Sequence, residues 1–309
     1  METPKTLQQA IVYFDKPENC NAFMMAARWA DGQVRCPTCD SQDVIYLENA
    51  RLFKCRAAHA RQKFSLKVGT IFEDSALGLN KWLTAIWLIA NAKNGISSCE
   101  LGRSIGVTQK SAWHVNHRIR LAMQNGSLNK LSGNVEVDET FIGGKARDMH
   151  MSRRKHLGSR ETGKVAVMGL LERHGGEVRT KVLTGTKREE LQGEVRKHVE
   201  QDSHVYTDAL RSYNGLNDDY FHMVINHAVE YVNGHIHTNG IENFWSLLKR
   251  SLKGTYVSVE PFHLFRYLDE QSFRFNGRKG TDAQRFAQVL TQIVGKRLEY
   301  KQLTGKPDA

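Results

Sequence analysis

The sequence predicts a protein of the α/β fold class, with a mixed sheet in its second half and two smaller regions before it. Segments of strand character between residues 134 and 225 are interrupted by a helical segment. Potential metal ligands between residues 36 and 59 have the spacing of a small ribbon. Apolar residues between 97 and 119 repeat with the period of two short helices.

Changes of pattern divide the 309 residues into five segments. We predict an N-terminal helix at 1–32, a zinc ribbon at 33–68, a helical region with a helix-turn-helix at 69–128, a sheet domain at 132–280, and a C-terminal helix and tail at 281–309. The first segment carries apolar residues at helical spacing. The polar stretch from Gln124 to Gly133 predicts a linker.

The composition indicates a globular protein with a polyanionic partner. Forty-four Lys and Arg against 33 Asp and Glu give a formal charge of +11, which suits DNA, RNA or an anionic membrane surface. A soluble protein that is merely basic is the alternative. No apolar run has the length of a membrane span and the N-terminus lacks the order of a signal peptide, so we expect a cytoplasmic protein.

The cysteine spacing predicts a zinc site. Cys36 and Cys39 form a Cys-x-x-Cys turn, and Cys55 follows after fifteen intervening residues. Such a turn places two sulfurs on one ion, while a hairpin returns the other ligands. The second pair of a ribbon would put a cysteine at Ala58, so His59 is the predicted fourth ligand. A degraded, metal-free ribbon is the alternative.

Residues 97–119 predict a helix-turn-helix. The first helix would end at a turn at Gly106, and Thr108 would cap the second. A plain helical hairpin within a bundle is the alternative. In a major groove, the second helix would present side chains able to touch base edges or phosphates: Gln109, Lys110, His114, His117 and Arg118.

The sheet domain has the element order of an RNase-H-like core. Strands are predicted at 134–142, 164–172 and 177–183, then a helix at 187–200, a strand ending at Asp208, a short helix at 209–216 and a strand at 222–225. Between the first two strands lies a basic loop that includes Arg153, Arg154 and Lys155, which we expect to contact an anion.

Three acids in this domain predict metal-dependent phosphodiester chemistry. Asp138 and Asp208 lie at strand ends, and Glu242 lies at the head of a helix. Carboxylates are the ligands that Mg2+ prefers, and Mn2+ could replace it. Two ions would be held, with Asp138 bridging both, Asp208 on one and Glu242 on the other. Asn239 and Asn243 are the alternative ligands if Glu242 is turned away. Glu139 would point to the opposite side of the strand.

Basic residues follow the third acid. Lys249 comes seven residues after Glu242, which is about two helical turns, so both would project from one helix face. Its ammonium could hold a DNA phosphate beside the metals, and the adjacent Arg250 is a further candidate DNA contact. Ordinary scattered surface charges are the alternative.

The motifs together resemble those of bacterial insertion-sequence DDE transposases of the ISXO type. The resemblance rests on the Cys-Pro-x-Cys of 36–39, Phe64-Ser65 with Gly-Thr-Ile-Phe at 69–72, Val-Asp-Glu-Thr-Phe-Ile-Gly-Gly-Lys at 137–145, Tyr-Thr-Asp at 206–208 with Tyr213, and the run from His237 to Arg250. It implies an RNase-H-like fold and magnesium-dependent cutting and joining of DNA. It assigns Asp138, Asp208 and Glu242 to metal, and Lys249 to DNA.

The leading hypothesis is therefore a transposase that cuts the ends of an insertion sequence and joins each 3′-hydroxyl to target DNA. A homodimer or larger assembly on DNA is expected, without a membrane, in the bacterial cytoplasm at the nucleoid. The alternatives are a non-catalytic DNA-binding regulator, in which only the ribbon and helix-turn-helix act, and an RNase-H-like nuclease that cleaves without joining.

Overall fold

A computed structural model describes residues 4–124, 126–144, 164–225 and 237–305. The chain divides into two compact units. One combines Met1–Gln124 with Lys279–Ala309, and the other comprises Asn125–Arg278. The C-terminal segment thus belongs to the same unit as the N-terminal segments. The finer division into five segments remains a prediction.

The N-terminal segment forms two helices where one helical stretch was expected. Helix α1 spans Leu7–Phe14 and α2 spans Pro17–Arg28. Proline has no N–H to donate to the preceding turn and is favoured in the first turn of a helix, so α2 begins anew at this residue. The aromatic ring of Phe14 packs against Phe286 in the C-terminal segment, at 5.8 Å between centroids.

The ribbon is a three-stranded antiparallel sheet. Strands β1 (Val44–Leu47), β2 (Leu52–Cys55) and β3 (Lys63–Phe64) are adjacent in that order. Buried Phe53 stacks on Phe64 across the β2–β3 pair, with ring centroids 5.5 Å apart. This small core fixes the hairpin that carries Cys55.

Helices α3 (Leu79–Asn91), α4 (Ser98–Ile105) and α5 (Gln109–Ala122) follow, and α4 and α5 form the predicted helix-turn-helix. Ser97 caps α4, Gly106 adopts a left-handed φ of +62° at the turn, and the Thr108 hydroxyl accepts the Ser111 N–H. Residues 69–78, which were expected to begin the helical segment, are not helical. Helix α3 begins only after them, at Leu79.

The second unit is built on a five-stranded sheet. Its strands are β4 (Asn134–Ile142), β5 (Val165–Glu172), β6 (Val178–Val182), β7 (His204–Asp208) and β8 (Phe221–Ile225). The spatial order is β6-β5-β4-β7-β8, with the first three antiparallel and β7 and β8 parallel to β4. This topology confirms the predicted RNase-H-like α/β core.

Helices cover both faces of this sheet. Helix α6 (Arg188–His198) packs on one face through Leu191 and Val195. On the other lie α7 (Asn239–Ser251), which continues as a π-helical turn at Leu252–Tyr256, and α8 (Leu264–Asn276). Because helices cover both faces, strand β5, which lies between β6 and β4, is buried on both sides.

The expected helix at 209–216 is absent from this described stretch. Two separate 3-10 turns, Arg211–Tyr213 and Leu216–Asp218, take its place. Gly215 has a φ of +97°, which no α-helix accommodates, so the chain turns between them.

The C-terminal segment of the first unit carries helices α9 (Asp282–Thr291) and α10 (Tyr300–Thr304). Throughout the described ranges, every helix is too short or too polar to cross a lipid bilayer.

Candidate active site and metal centres

Two strands deliver acids to the same edge of the second unit's sheet. Strands β4 and β7 run parallel and pair from Asn134 with His204 to Glu136 with Tyr206. Asp138 and Asp208 each lie two residues beyond the last pair, so they meet where the strands separate. The sequence prediction that these two acids converge agrees with this geometry.

The third acid of the cluster is Glu139. Oxygen atoms of Asp138, Glu139 and Asp208 all lie within 4.8 Å of one another. The expectation that Glu139 points away from the site is therefore wrong. Alternation along a strand fixes only the direction of the Cα–Cβ bond, and the β4–β7 ladder ends at Glu136. The longer Glu139 side chain reaches the space beside the end of β7.

Glu242 lies in the first turn of α7 and is exposed. Among the described residues it is not a member of the tight group of acids. Its Oε1 accepts a hydrogen bond from the Thr238 hydroxyl at 3.0 Å. Its charge still acts on Asp138, as the pKa of that acid shows.

Burial and mutual repulsion disturb the protonation of this cluster. Burial raises the pKa of Asp138 to about 6, assisted by the charges of Asp208 and Glu242 and opposed by a hydrogen bond from the Trp245 indole. Burial, with the charges of Asp208 and Asp138, raises the pKa of Glu139 to about 8. Asp138 and Glu139 are therefore not both fully ionised at neutral pH unless a cation compensates them.

The donor set fits a hard divalent cation. All the donors in the cluster are carboxylate oxygens, the ligands preferred by Mg2+ and Mn2+. The Oε1 atom of Glu139 is buried and accepts no hydrogen bond from any described residue. A buried carboxylate oxygen without a donor is costly, and a bound cation would remove that cost.

A buried ion pair anchors the head of α7 to β4. Glu136 is 1% exposed, and its carboxylate accepts hydrogen bonds from the Ile241 backbone N–H at 2.9 Å and from Arg173 Nε at 2.8 Å. The Arg173 guanidinium lies over the Tyr206 ring, 3.9 Å from its centroid. Glu136 is not among the predicted site residues, although its spacing of two residues from Asp138 places both on one strand face.

Close packing between α7 and β5 holds Trp245 against the site. Its indole Nε1 donates a hydrogen bond to Asp138 Oδ2 at 3.0 Å. Gly169 pairs with Asp138 across the β4–β5 ladder, and a Cβ at Gly169 would approach the Trp245 ring to 2.5 Å. The absence of a side chain at this position leaves room for the indole. Trp245 is buried, with 3% of its surface exposed.

The basic residues on α7 are exposed. Lys249 lies two turns after Glu242 on the same helix, and Arg250 is its neighbour. Both side chains are therefore accessible to a polyanion on the surface of the second unit. The roles of Lys249 and Arg250 remain predictions.

The ribbon of the first unit brings together three cysteines and one histidine. Ligand atoms of Cys36, Cys39, Cys55 and His59 all lie within 4.8 Å of one another. The Ala60 carbonyl oxygen lies 2.6 Å from His59 Nδ1 and can accept a hydrogen bond from it. His59 Nε2 then remains for the cluster, 3.5 Å from Cys36 Sγ. This set of sulfur and nitrogen donors fits a tetrahedral zinc ion.

The surroundings of Cys36 also favour the thiolate form of its side chain. Burial raises the pKa of Cys36, but hydrogen bonds from the backbone of Thr38 and Cys39 and from the thiols of Cys39 and Cys55 outweigh it and lower that pKa to about 7. Since a metal binds the deprotonated sulfur, a lowered pKa assists binding.

Helix α5 exposes fewer of the predicted DNA contacts than the sequence indicates. Gln109 and Lys110 are exposed at its start. Arg118, however, is 6% exposed and donates hydrogen bonds to the carbonyls of Leu298, Ile71 and Glu73.

The two histidines predicted on this surface are also turned inward. His117 is buried with its ring against Trp113. His114 is half-buried, with Nε2 3.4 Å from the Leu298 carbonyl. The side chains of Arg118, His114 and His117 are therefore surrounded largely by protein, and their contact with DNA stays a prediction. Arg153, Arg154 and Lys155 lie outside the described residues.

Two family models match the chain, each over a region that carries one of these clusters. The model of the ISXO2-like transposase domain matches residues 130–276, and that of the transposase zinc-ribbon domain matches residues 17–60. The chain is 30% identical over 240 residues to "Uncharacterized protein in transposable element ISH50" of Halobacterium salinarum. The alignment covers 73% of this chain and 79% of the relative. It is also 36% identical over 101 residues to an "Uncharacterized transposase-like protein" of Haemophilus influenzae. That alignment covers 32% of this chain and 79% of the relative. The chain therefore belongs to the ISXO2-like transposase family, as shown by its RNase-H-like domain with clustered acids, its zinc ribbon and these relatives.

Proposed function

We propose that this chain cuts DNA at the ends of an insertion sequence and joins the freed ends to target DNA. The observation that carries this proposal is the convergence of Asp138, Glu139 and Asp208 within 4.8 Å at the edge of an RNase-H-like sheet. Such a cluster suits phosphodiester chemistry because divalent ions, when bound, stabilise the attacking and leaving oxygens of an in-line displacement.

The residues of the chain have separate tasks in this reaction. Asp138, Asp208 and Glu242 would hold the divalent ions, Mg2+ or Mn2+. The exposed Lys249 would hold a DNA phosphate. Trp245 would fix the Asp138 carboxylate through its hydrogen bond. Arg173 and Glu136 would hold the head of α7, and with it Glu242, against the sheet.

Two displacements at one site account for cutting and joining. In the first, water attacks the phosphorus at the element end and the P–O3′ bond breaks, which leaves a 3′-hydroxyl. In the second, this hydroxyl attacks a phosphodiester of the target, forming one P–O bond and breaking another. The number of phosphodiester bonds is conserved in the second step, so no external energy source is needed.

The first unit would bind the DNA ends. The ribbon, held by zinc on Cys36, Cys39, Cys55 and His59, and the exposed start of α5 supply candidate contacts. Because two ends must be processed together, we expect a homodimer or higher assembly on DNA. The activity belongs in the cytoplasm at the nucleoid, where its substrate lies.

A joining assay tests the proposal. The full chain is incubated with Mg2+, target DNA and a duplex carrying the ends of its element, using wild type, Asp138→Ala and Glu200→Gln. Glu200 is an exposed acid of the same unit and serves as the matched control. We expect joined products from wild type and Glu200→Gln, and DNA binding without joining from Asp138→Ala.

The other outcomes separate the competing functions. Cleaved but unjoined DNA would identify a nuclease. A wild-type chain that binds ends but neither cuts nor joins, with Asp138→Ala indistinguishable from it, would identify a non-catalytic regulator.

A further inference from the structure

The carboxylate oxygens near the point where β4 and β7 separate differ in their hydrogen bonds. Asp138 Oδ2 accepts the Trp245 indole N–H at 3.0 Å, and Asp208 Oδ1 accepts the Leu210 backbone N–H at 3.1 Å. Glu242 Oε1 accepts the Thr238 hydroxyl at 3.0 Å. Glu139 Oε1 is buried and, across the described ranges, has no hydrogen-bond donor.

This distribution distinguishes Glu139 from the three acids expected at the site. A structural carboxylate in the interior is normally satisfied by N–H or O–H donors, as Glu136 is by Arg173 and Ile241. A carboxylate held ready for a cation presents a bare oxygen toward its neighbouring acids. Glu139 combines a buried oxygen without a donor, Oε1, with a carboxylate oxygen that lies within 4.8 Å of oxygens of Asp138 and Asp208.

We propose that Glu139 is a direct ligand of the divalent ion held by Asp138 and Asp208, so that the site uses four acids. Three carboxylates, from Asp138, Glu139 and Asp208, would surround the first ion, and Glu242 would serve the second. This inference rests on the proposed function, because it assigns a further ligand to the same site.

The assignment has a consequence for the metal-free protein. Three close carboxylates repel one another, so replacing one by a neutral amide of the same shape relieves the fold while it removes a ligand. A ligand role therefore predicts opposite effects of Glu139→Gln on metal binding and on the stability of the metal-free chain. A structural role predicts loss of stability.

The test is a Mn2+ titration of the full chain by calorimetry, with thermal unfolding at pH 8 in the absence of added Mg2+ or Mn2+. The variants are Glu139→Gln, Asp138→Asn and the matched control Glu200→Gln. We expect Glu139→Gln and Asp138→Asn to weaken Mn2+ binding by about tenfold or more, the range seen even for outer-shell partners of metals. We expect Glu200→Gln to bind as wild type, and metal-free Glu139→Gln to unfold at or above the wild-type temperature.

Two results would overturn the proposal while leaving the proposed function intact. One is wild-type Mn2+ affinity in Glu139→Gln when Asp138→Asn is weakened. The other is a metal-free Glu139→Gln that is less stable than wild type or does not fold. If the wild type itself takes up no Mn2+ and joins no DNA, the proposed function fails and this inference fails with it.

Discussion

Glu136, Asp138 and Glu139 lie within four residues of one strand and have three different environments. Glu136 is buried and fully engaged with Arg173 and the backbone of Ile241. Asp138 is held by the Trp245 indole, and Glu139 presents a bare oxygen to its neighbours. The same chemical group therefore serves as a structural anchor, a positioned acid and a candidate ligand, depending on the donors around it.

The raised pKa values predict a pH dependence of stability in the metal-free protein. The pKa values of Asp138 and Glu139 are about 6 and about 8 in the fold, above their ordinary values of 3.8 and 4.5. The native chain therefore retains protons that the unfolded chain has lost, and the contribution of these acids to stability falls as pH rises from about 4 to about 8. Above that range the contribution is constant.

We expect the double variant Asp138→Asn with Glu139→Gln to gain stability relative to wild type across this pH range. Urea unfolding at several pH values, without added Mg2+ or Mn2+, measures the difference. Mn2+ should stabilise wild type more at pH 8 than at pH 5 and leave the double variant unchanged. If the difference in unfolding free energy between the double variant and wild type did not vary with pH, the burial of these two acids would be contradicted.

At the scale of elements, the approach of α7 to β5 is what brings Trp245 to the site. A methyl group at Gly169 would lie 2.5 Å from the indole and 2.8 Å from Ile241. Gly169→Ala should destabilise the chain by about 1–3 kcal/mol through overpacking and displace the indole from Asp138. Urea unfolding, with Trp fluorescence as the probe, measures both effects.

Gly193 on α6 is the matched control for that substitution. A Cβ there meets nothing within 4 Å. Gly193→Ala should therefore stabilise the chain by about 0.4–1 kcal/mol, because it restricts the unfolded state without a clash. Equal effects of the two substitutions would show that α7 shifts without cost.

The ribbon is an element that the metal would hold together. Its three short strands enclose little apolar surface, so we expect loss of zinc to unfold residues 33–68 locally. Cys55→Ser and His59→Ala should lower the zinc content measured by atomic absorption and make this segment sensitive to protease. Cys99→Ser, at an exposed cysteine outside the cluster, should change neither. Full zinc content in His59→Ala would exclude His59 as the fourth ligand.

At the scale of the whole molecule, the formal charge of +11 predicts DNA binding that weakens steeply with salt. Fluorescence anisotropy over a series of salt concentrations gives the slope of log affinity against log salt. Lys110→Ala should reduce that slope by about one, because one phosphate contact is lost. Lys5→Ala, at an exposed lysine of the same unit, should leave it unchanged. A slope near zero would contradict an electrostatic interface.

Much of the architecture could be predicted because it depends on local pattern. The strand at 134–142, the helix-turn-helix with its Thr108 cap and the cysteine cluster follow from side-chain period, capping and ligand spacing, all properties of neighbouring residues. Pro17 is also a local signal, because a proline begins the second of the two N-terminal helices.

The sequence by itself determined the RNase-H-like core, the ribbon, and the convergence of Asp138 with Asp208. Only the tertiary structure decided that Glu139 turns toward these acids, that Glu136 anchors α7, and that Arg118 is bound inside the first unit. Arg118 bonds a carbonyl 180 residues away along the chain, at Leu298. The period and spacing of residues predict the direction of the Cα–Cβ bond. The partners and burial of the side chain depend on segments that are distant in the sequence, which a local pattern does not include.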